Sequence, residues 1–220
     1  MKRILCYGDS NTYGADGRRY RSEGISLRYD EQTRWTELLQ QNLGTEYLVS
    51  EEGFNGRTTV FDDPMESGRN GFAYLDVIFG SHQPLDIIIL MLGTNDTKPR
   101  FSASSQDISR GMQRIILRLK ELIHSSINPQ TKILLLAPPH IEKCETGEYL
   151  YEFDENSSMK SHELARQYYL LAKNYDCLFA DTSIWVSPDP TDGVHLGPEG
   201  HRIFANKLTG LVQSIAENML

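Results

Sequence analysis

Residues 3–10 read RILCYGDS, and they are the best indication of the fold because a short apolar run leads through Gly8 and Asp9 directly to Ser10. Residues 4–7 form a short apolar run, which is typical of a strand covered on both faces. Gly8 has no side chain to obstruct a sharp turn. We therefore expect the hydroxyl of Ser10 to project from the carboxyl end of this strand.

Further short apolar runs and helical patterns alternate along the rest of the chain. The predicted strands are 4–7, 47–51, 87–92, 133–137 and 177–180. Apolar residues recur at helical spacing in 108–123, 164–175 and 204–219, with Ser104 and Asp107 as a capping box and Pro198 in a first turn. This alternation predicts a three-layer α/β/α sandwich around a central parallel sheet of about five strands.

The composition indicates one globular domain, residues 1–220, with 39% hydrophobic and 24% charged residues. A formal net charge of −8 argues against nucleic acid or an anionic membrane as the main partner. Lys2 and Arg3 are not followed by the long apolar segment of a signal peptide, so we expect a cytoplasmic protein. The three cysteines are widely spaced and are expected to be free thiols.

Two motifs from opposite ends of the chain supply three side chains that can act together. Asp192 precedes His195 by three residues, so its carboxylate can hold the imidazole in one tautomer. His195 can then take the proton of the Ser10 hydroxyl, which is otherwise a poor nucleophile. The motif around Ser10 is common in helix caps when it occurs alone, but these partners favour covalent catalysis.

Two further residues could stabilise the negative charge that a serine attack creates. Asn95 follows a predicted strand and could direct its side-chain amide at an oxyanion. Gly56 could bring a backbone N–H close, and the N–H of Ser10 would be the third donor. Asp9 and Asp96 adjoin these residues and are expected to fix loop geometry through hydrogen bonds, with Asp96 as a minor rival for a catalytic role.

Four blocks in order along the chain resemble the SGNH hydrolases, also called the GDSL esterase/lipase family. They are Gly8-Asp9-Ser10, Gly56, Gly93-x-Asn95-Asp96 and Asp192-x-x-His195, and they span nearly the whole chain. Longer stretches, such as EEG at 51–53, RTT at 57–59 and ILMLGTNDTK at 89–98, are similar to the bacterial arylesterase/acyltransferase branch.

The resemblance implies a flavodoxin-like sandwich in which Ser10 is the nucleophile, His195 the base and Asp192 the residue that orients it. It also implies an oxyanion hole formed by Ser10, Gly56 and Asn95, with no metal or organic cofactor. The branch further suggests a homo-oligomer. The family usually has leucine after the serine, whereas this chain has Asn11, so we expect a more polar pocket wall.

Three functions remain open at this point. The first is a serine esterase that hydrolyses short-chain acyl or aryl esters through an acyl-enzyme on Ser10, with acyl transfer to alcohols as a further hypothesis. The second is a carbohydrate O-deacetylase, which the aromatic residues Tyr149, Tyr151 and Phe153 favour. The third is a nucleotide- or flavin-binding module, although residues 8–14 have neither the P-loop lysine nor dinucleotide glycine spacing.

Two stretches lie outside the alternation, residues 15–34 and 141–158, and we expect them at the carboxyl ends of strands as pocket walls or subunit contacts. The five arginines of 15–34 are expected to form a solvated surface. The remaining histidines show no spacing or carboxylate partner that would indicate zinc, and are predicted to be structural or solvated: His82, His124, His140, His162 and His201.

Overall fold

The computed structural model describes residues 1–18 and 27–218, and these form one parallel sheet covered by helices on both faces. The strands are β1 Lys2–Gly8, β2 Tyr47–Gly53, β3 Ile87–Met91, β4 Lys132–Ala137 and β5 Leu178–Asp181. Their order is β2-β1-β3-β4-β5, and every neighbouring pair is parallel. This is the flavodoxin-like strand order, so the predicted α/β/α sandwich is confirmed.

The helices divide between the two faces of the sheet. They are α1 Ser10–Tyr13, α2 Trp35–Leu43, α3 Gly71–His82, α4 Ser105–His124, α5 Glu155–Asn174 and α6 Pro198–Glu217. Helices α2 and α6 pack on one face, and α3, α4 and α5 pack on the other. None of the described helices combines the length and the apolar character that crossing a bilayer requires.

The central strands bury both of their faces, which is why their sequences are continuously apolar. In β1, Leu5 and Tyr7 join the core beneath α3, α4 and α5, whereas Ile4 and Cys6 join the core beneath α2 and α6. Every residue of β3 is buried. Alternate side chains of one strand thus stabilise two separate layers.

The predicted strands match the observed ones to within two residues at each end. The capping box of Ser104 and Asp107 opens α4, and Pro198 lies in the first turn of α6, as predicted. Met219, at the end of the predicted stripe 204–219, lies outside the described residues. The spacing of apolar residues does not predict α2 or α3. In α3, apolar residues such as Val77 occupy exposed positions, which weakens the helical periodicity of the sequence.

The arginines of 15–34 do not all form a solvated surface, which corrects that expectation. Arg34 is 4% exposed, and its Nη2 lies 3.0 Å from Oε1 of Glu51 at the end of β2. Arg28 also binds Glu51, at 3.1 Å. Arg19 and Arg21 fall in residues 19–26, outside the described part of the chain. These two arginines hold the second described part of the loop, residues 27–34, against β2.

Candidate active site

Ser10 stands at the carboxyl end of β1, where the chain turns directly into α1. A Cβ on Gly8 would lie 2.0 Å from Oγ1 of Thr12 and 2.9 Å from the carbonyl oxygen of Met91, so only glycine fits at the turn. The Asp9 side chain accepts a hydrogen bond from the backbone N–H of Asn11 at 3.0 Å and caps the short helix. The turn leaves Ser10 7% exposed at the sheet edge.

The turn before α6 holds Asp192 and His195 in a fixed relation. Oδ1 of Asp192 accepts the backbone N–H groups of Val194 and His195, each at 2.9 Å. Its other oxygen, Oδ2, lies 2.6 Å from Nδ1 of His195. Asp192 is fully buried, so its carboxylate is shielded from water while it orients the imidazole.

The fold brings Ser10 to His195 although the two residues are 185 positions apart. Nε2 of His195 lies 2.9 Å from Oγ of Ser10. The contact forms because the carboxyl end of β1 and the turn before α6 lie at the same edge of the sheet. A serine hydroxyl, an imidazole and a buried carboxylate therefore form one hydrogen-bonded chain, an arrangement that can activate the hydroxyl for attack.

The charged groups around His195 favour a basic imidazole. Burial alone would lower the pKa of His195, but the charge and hydrogen bond of Asp192, with the charge of Asp9, act in the opposite direction, and the net shift is upward. For Asp192, burial would raise the pKa of the carboxyl, but His195 and two backbone N–H groups lower it. The carboxylate is thus held ionised beside a histidine that readily accepts a proton.

Asn11 does not line the cleft, which corrects the expectation of a more polar pocket wall. It is 2% exposed, and its side chain binds the backbone on both sides of His195. Nδ2 donates to the carbonyl of Val194 at 3.2 Å, and Oδ1 accepts the N–H of Leu196 at 2.9 Å. The residue that replaces the family's leucine thus fixes the histidine loop to the serine turn.

The three predicted oxyanion donors face a single cleft with His195. Asn95 is 5% exposed, and its Nδ2 donates one hydrogen to the carbonyl of Arg57 at 3.1 Å, which fixes the amide and leaves its second N–H for a ligand. Gly56 adopts a left-handed conformation, with φ of 72°, that favours glycine. The N–H of Ser10 lies in the first turn of α1, where no intrahelical acceptor exists.

Asp96 acts as a structural link in the described contacts. Its carboxylate accepts the backbone N–H of Thr59 at 2.9 Å and also binds the Thr59 hydroxyl. The loops that follow β2 and β3, which carry Gly56 and Asn95, are joined by this contact. The expectation that Asp9 and Asp96 fix loop geometry is therefore confirmed by their hydrogen bonds.

The cleft has a volume of about 150 Å³ and a mixed polar and aromatic wall. Its lining residues are Ser10, Ala15, Asn55, Gly56, Glu66, Arg69, Asn95, Lys98, Leu150, Tyr151, Glu152, Phe153, Val194 and His195. Loop 141–158 thus supplies part of the wall, as predicted. Of its three aromatic residues, Tyr151 and Phe153 line the cleft, whereas Tyr149 packs outside it against the cluster around Ile141.

Sequence reasoning did not identify the charged residues of this wall. Lys98 is 3% exposed, and its Nζ lies 2.6 Å from Oε2 of Glu152. Burial, together with the charge of Arg100, lowers the pKa of Lys98 to about 8. Lys98 ends the LGTNDTK stretch, which is the signal that could have identified it, but the contact with Glu152 depends on the fold.

The remaining histidines differ in their surroundings. His201 is buried, and its Nδ1 accepts the backbone N–H of Trp35 at 3.3 Å, so its predicted structural role is confirmed. The expectation that none has a carboxylate partner indicating zinc is wrong for His140 and His162, which are grouped with Glu142. His82 also has a carboxylate neighbour, but it belongs to no such group among the described residues. Nε2 of His82 lies 2.7 Å from Oε1 of Glu52, and Nε2 of His162 lies 3.4 Å from Oε1 of Glu142. The cysteines are free thiols, as predicted.

Comparison with known proteins identifies the family. The model of the GDSL-like lipase/acylhydrolase family matches residues 6–203, almost the whole chain. The chain belongs to the GDSL-like lipase/acylhydrolase family. Membership of this family favours ester hydrolysis over the nucleotide- or flavin-binding function. Among curated protein sequences, none is significantly similar to this chain.

Several solved structures of esterases superpose on this acylhydrolase over nearly their whole length. An aryl esterase from M. smegmatis is 35% identical, with a TM-score of 0.89, and the match covers 98% of this chain and 100% of the esterase. Est24, a carbohydrate acetylesterase from Sinorhizobium meliloti, is 32% identical, with a TM-score of 0.90 and coverage of 98% and 100%. A carbohydrate acetylesterase family member from the same species is 34% identical, with a TM-score of 0.84 and coverage of 98% and 99%.

Proposed function

We propose that this acylhydrolase is a serine esterase that cleaves short-chain acyl or aryl esters through an acyl-enzyme on Ser10. The observation that carries the proposal is the hydrogen-bonded chain from Ser10 through His195 to the buried Asp192. Ser10 and His195 line a cleft that also contains Gly56 and Asn95. A hydroxyl, an imidazole and three potential hydrogen-bond donors around one cleft support the proposal, because an ester carbonyl could sit among them.

In the acylation step, Oγ of Ser10 attacks the carbonyl carbon while Nε2 of His195 takes the hydroxyl proton. The carbonyl oxygen becomes an oxyanion, which accepts hydrogen bonds from the N–H groups of Ser10 and Gly56 and from Nδ2 of Asn95. Asp192 stabilises the imidazolium. When the intermediate collapses, the C–O bond to the alcohol breaks, and the alcohol leaves with the proton from His195.

In the second step, water gives a proton to His195 and attacks the acyl carbon, which releases the acid and restores the Ser10 hydroxyl. An alcohol that enters in place of water would take the acyl group and form a new ester. We propose this acyl transfer as a secondary activity, and it predicts ester product when an alcohol is present in excess. Free acid as the sole product under those conditions would contradict it.

The cleft favours a short acyl group because its volume is about 150 Å³ and the loop 141–158 limits it with Leu150 and Phe153. The charged rim favours a second candidate function, a carbohydrate O-deacetylase. Glu66, Arg69 and Glu152 line the cleft and offer hydrogen bonds of the kind that sugar hydroxyls make. The similarity to a carbohydrate acetylesterase supports the same candidate.

The Ser10→Ala variant tests the nucleophile. We expect it to lose measurable hydrolysis of p-nitrophenyl acetate and all labelling by a serine-reactive fluorophosphonate, while circular dichroism and thermal unfolding stay as in the wild type. Ser125→Ala, at an exposed serine beyond α4, is the matched control and should keep both properties. Activity near the wild-type level in Ser10→Ala would refute the proposed mechanism.

An ester panel separates the two substrate classes. It runs from acetyl to octanoyl esters of p-nitrophenol and includes acetylated sugars. We expect kcat/KM to fall as the acyl chain lengthens. Higher kcat/KM for acetylated sugars than for p-nitrophenyl acetate would favour the deacetylase, and a preference for octanoyl would contradict the short-chain proposal.

The cellular location, the assembly and the partners of this acylhydrolase are also proposed. We propose a cytoplasmic homo-oligomer whose partner is a small-molecule ester, with neither nucleic acid nor a membrane as a ligand. The net charge of −8 supports the exclusion of polyanionic partners.

A further inference from the structure

A group of side chains on the surface, among the described residues, has the composition of a metal site. It consists of His140, which follows β4, Glu142 two residues later, and His162 on α5. Each offers one ligand atom, and these atoms all lie within 4.8 Å of one another. None of the three lines the cleft that contains Ser10.

The backbones of the three residues are held together by hydrogen bonds of the intervening residue. Ile141 is fully buried, and its N–H donates to Oγ of Ser161 at 2.9 Å. Oγ of Ser158 donates to the carbonyl of Ile141 at 2.7 Å. Because Ile141 separates His140 from Glu142, and Ser161 precedes His162, these two bonds fix all three ligand positions against α5.

The side chains need only small movements to close around a cation. The His140 and His162 rings have centroids 3.7 Å apart, and Nε2 of His162 lies 3.4 Å from Oε1 of Glu142. Ligands at about 2.1 Å on a tetrahedral zinc ion are about 3.4 Å apart. Glu142 and His162 are exposed, so their rotamers are free to adjust and a cation can reach them.

We propose that His140, Glu142 and His162 bind one zinc ion, with water as the fourth ligand. Two imidazoles and one carboxylate are a common donor set for zinc, whereas magnesium and calcium prefer oxygen ligands. The site would act as a clamp that ties the beginning of loop 141–158 to α5.

This clamp lies next to the turn that carries Asp192 and His195. The backbone N–H of Glu142 donates to the carbonyl of Gly193 at 2.8 Å. A Cβ on Gly193 would lie 2.1 Å from the carbonyl oxygen of Glu142, so the two segments are in close contact. Zinc held by Glu142 would therefore also stabilise the backbone beside this turn.

Zinc titration of the full chain, after EDTA treatment and desalting, tests the proposal. Calorimetry should show one zinc ion per chain, and zinc at about 100 times its Kd should raise Tm by about 5–10 °C. Magnesium at the same concentration should leave Tm unchanged. Cobalt should give the visible absorption bands of a four-coordinate nitrogen- and oxygen-ligated ion.

Variants locate the site. His162→Ala and Glu142→Gln remove one ligand each at exposed positions, and Glu142→Gln retains the backbone bond to Gly193. Each should weaken zinc binding by at least about tenfold and abolish the Tm shift. His124→Ala, at an exposed histidine on α4, should bind zinc like the wild type. No saturable binding, or equal affinity in the wild type and both ligand variants, would overturn the proposal.

Discussion

Asn11 holds the loop of His195 from both sides of that histidine. Its amide binds the carbonyl of Val194 and the N–H of Leu196, and its own carbonyl accepts the indole N–H of Trp35 at 2.9 Å. The residue after Ser10 thus connects three parts of the chain that are distant in sequence. Because it is buried, its hydrogen bonds have no water to replace them.

Asn11→Leu, which introduces the residue usual in the family, should therefore impair the reaction without removing any reacting group. The buried N–H of Leu196 would lose its acceptor, at a cost of about 1–3 kcal/mol in the free energy of unfolding. Displacement of His195 should lower kcat by up to about 100-fold with little change in KM. Urea unfolding and steady-state kinetics measure the two effects.

Two further variants serve as controls for Asn11→Leu. Asn11→Asp keeps an acceptor for Leu196 and should lose less stability than Asn11→Leu. Asn42→Leu, at an exposed asparagine on α2, should leave kcat unchanged. Wild-type kcat in Asn11→Leu would show that Asn11 does not position His195.

The pH dependence of kcat/KM should report the raised pKa of His195. Only the neutral imidazole can take the Ser10 proton, so activity is lost as pH falls through this pKa. Since the net shift is upward from 6.5, the acidic limb should lie above pH 6.5. In Asp192→Asn, the carboxylate that raises the pKa of His195 is gone, whereas burial still lowers this pKa, so the acidic limb should move to lower pH. The value of kcat should fall by about 10⁴-fold. An acidic limb at the same pH in both enzymes would contradict this account.

The chain after α1 packs against the turn that carries Asp192. A Cβ built on Gly17 would lie 1.8 Å from Oδ2 of Asp192 and 3.0 Å from Nδ1 of His195. The absence of a side chain at this position allows the two segments to meet. The beginning of loop 15–34 therefore limits where the carboxylate and imidazole can lie.

Gly17→Ala should push these groups apart. We expect kcat to fall by about 10–100-fold because a displacement of about 1 Å has effects of this size. Gly80→Ala is the matched control, since a Cβ there meets nothing within 4 Å. It lies in α3, where alanine is the better helix former, so its stability should be unchanged or higher. Equal kcat in the two variants would refute the steric argument.

For the assembled protein, we predict a homo-oligomer. Tyr151, on the rim of the cleft, is 74% exposed in loop 141–158, and exposed aromatic residues are common at subunit interfaces. Light scattering should therefore give a mass that is a multiple of 25.1 kDa, and Tyr151→Asp should lower it. A wild-type mass of one chain at micromolar concentration would show that the homo-oligomer does not form.

Local sequence patterns are enough to predict the three layers and all five strands of this protein. Patterns with periods of a few residues report whether a segment is a buried strand or a helix with one apolar face. The five runs of β1 to β5 and the stripes of α4, α5 and α6 were predicted in this way. The motifs at Ser10, Asn95 and Asp192 to His195 were also readable because each lies within a few consecutive residues.

Which of these segments meet depends on how the whole chain folds. The contact of Ser10 with His195 spans 185 positions and depends on two loops that leave the same edge of the sheet. The burial of Arg34 against Glu51 and the grouping of His140, Glu142 and His162 likewise join separate segments. Such contacts leave no periodic trace in the sequence, because packing of whole elements sets the distances between their side chains.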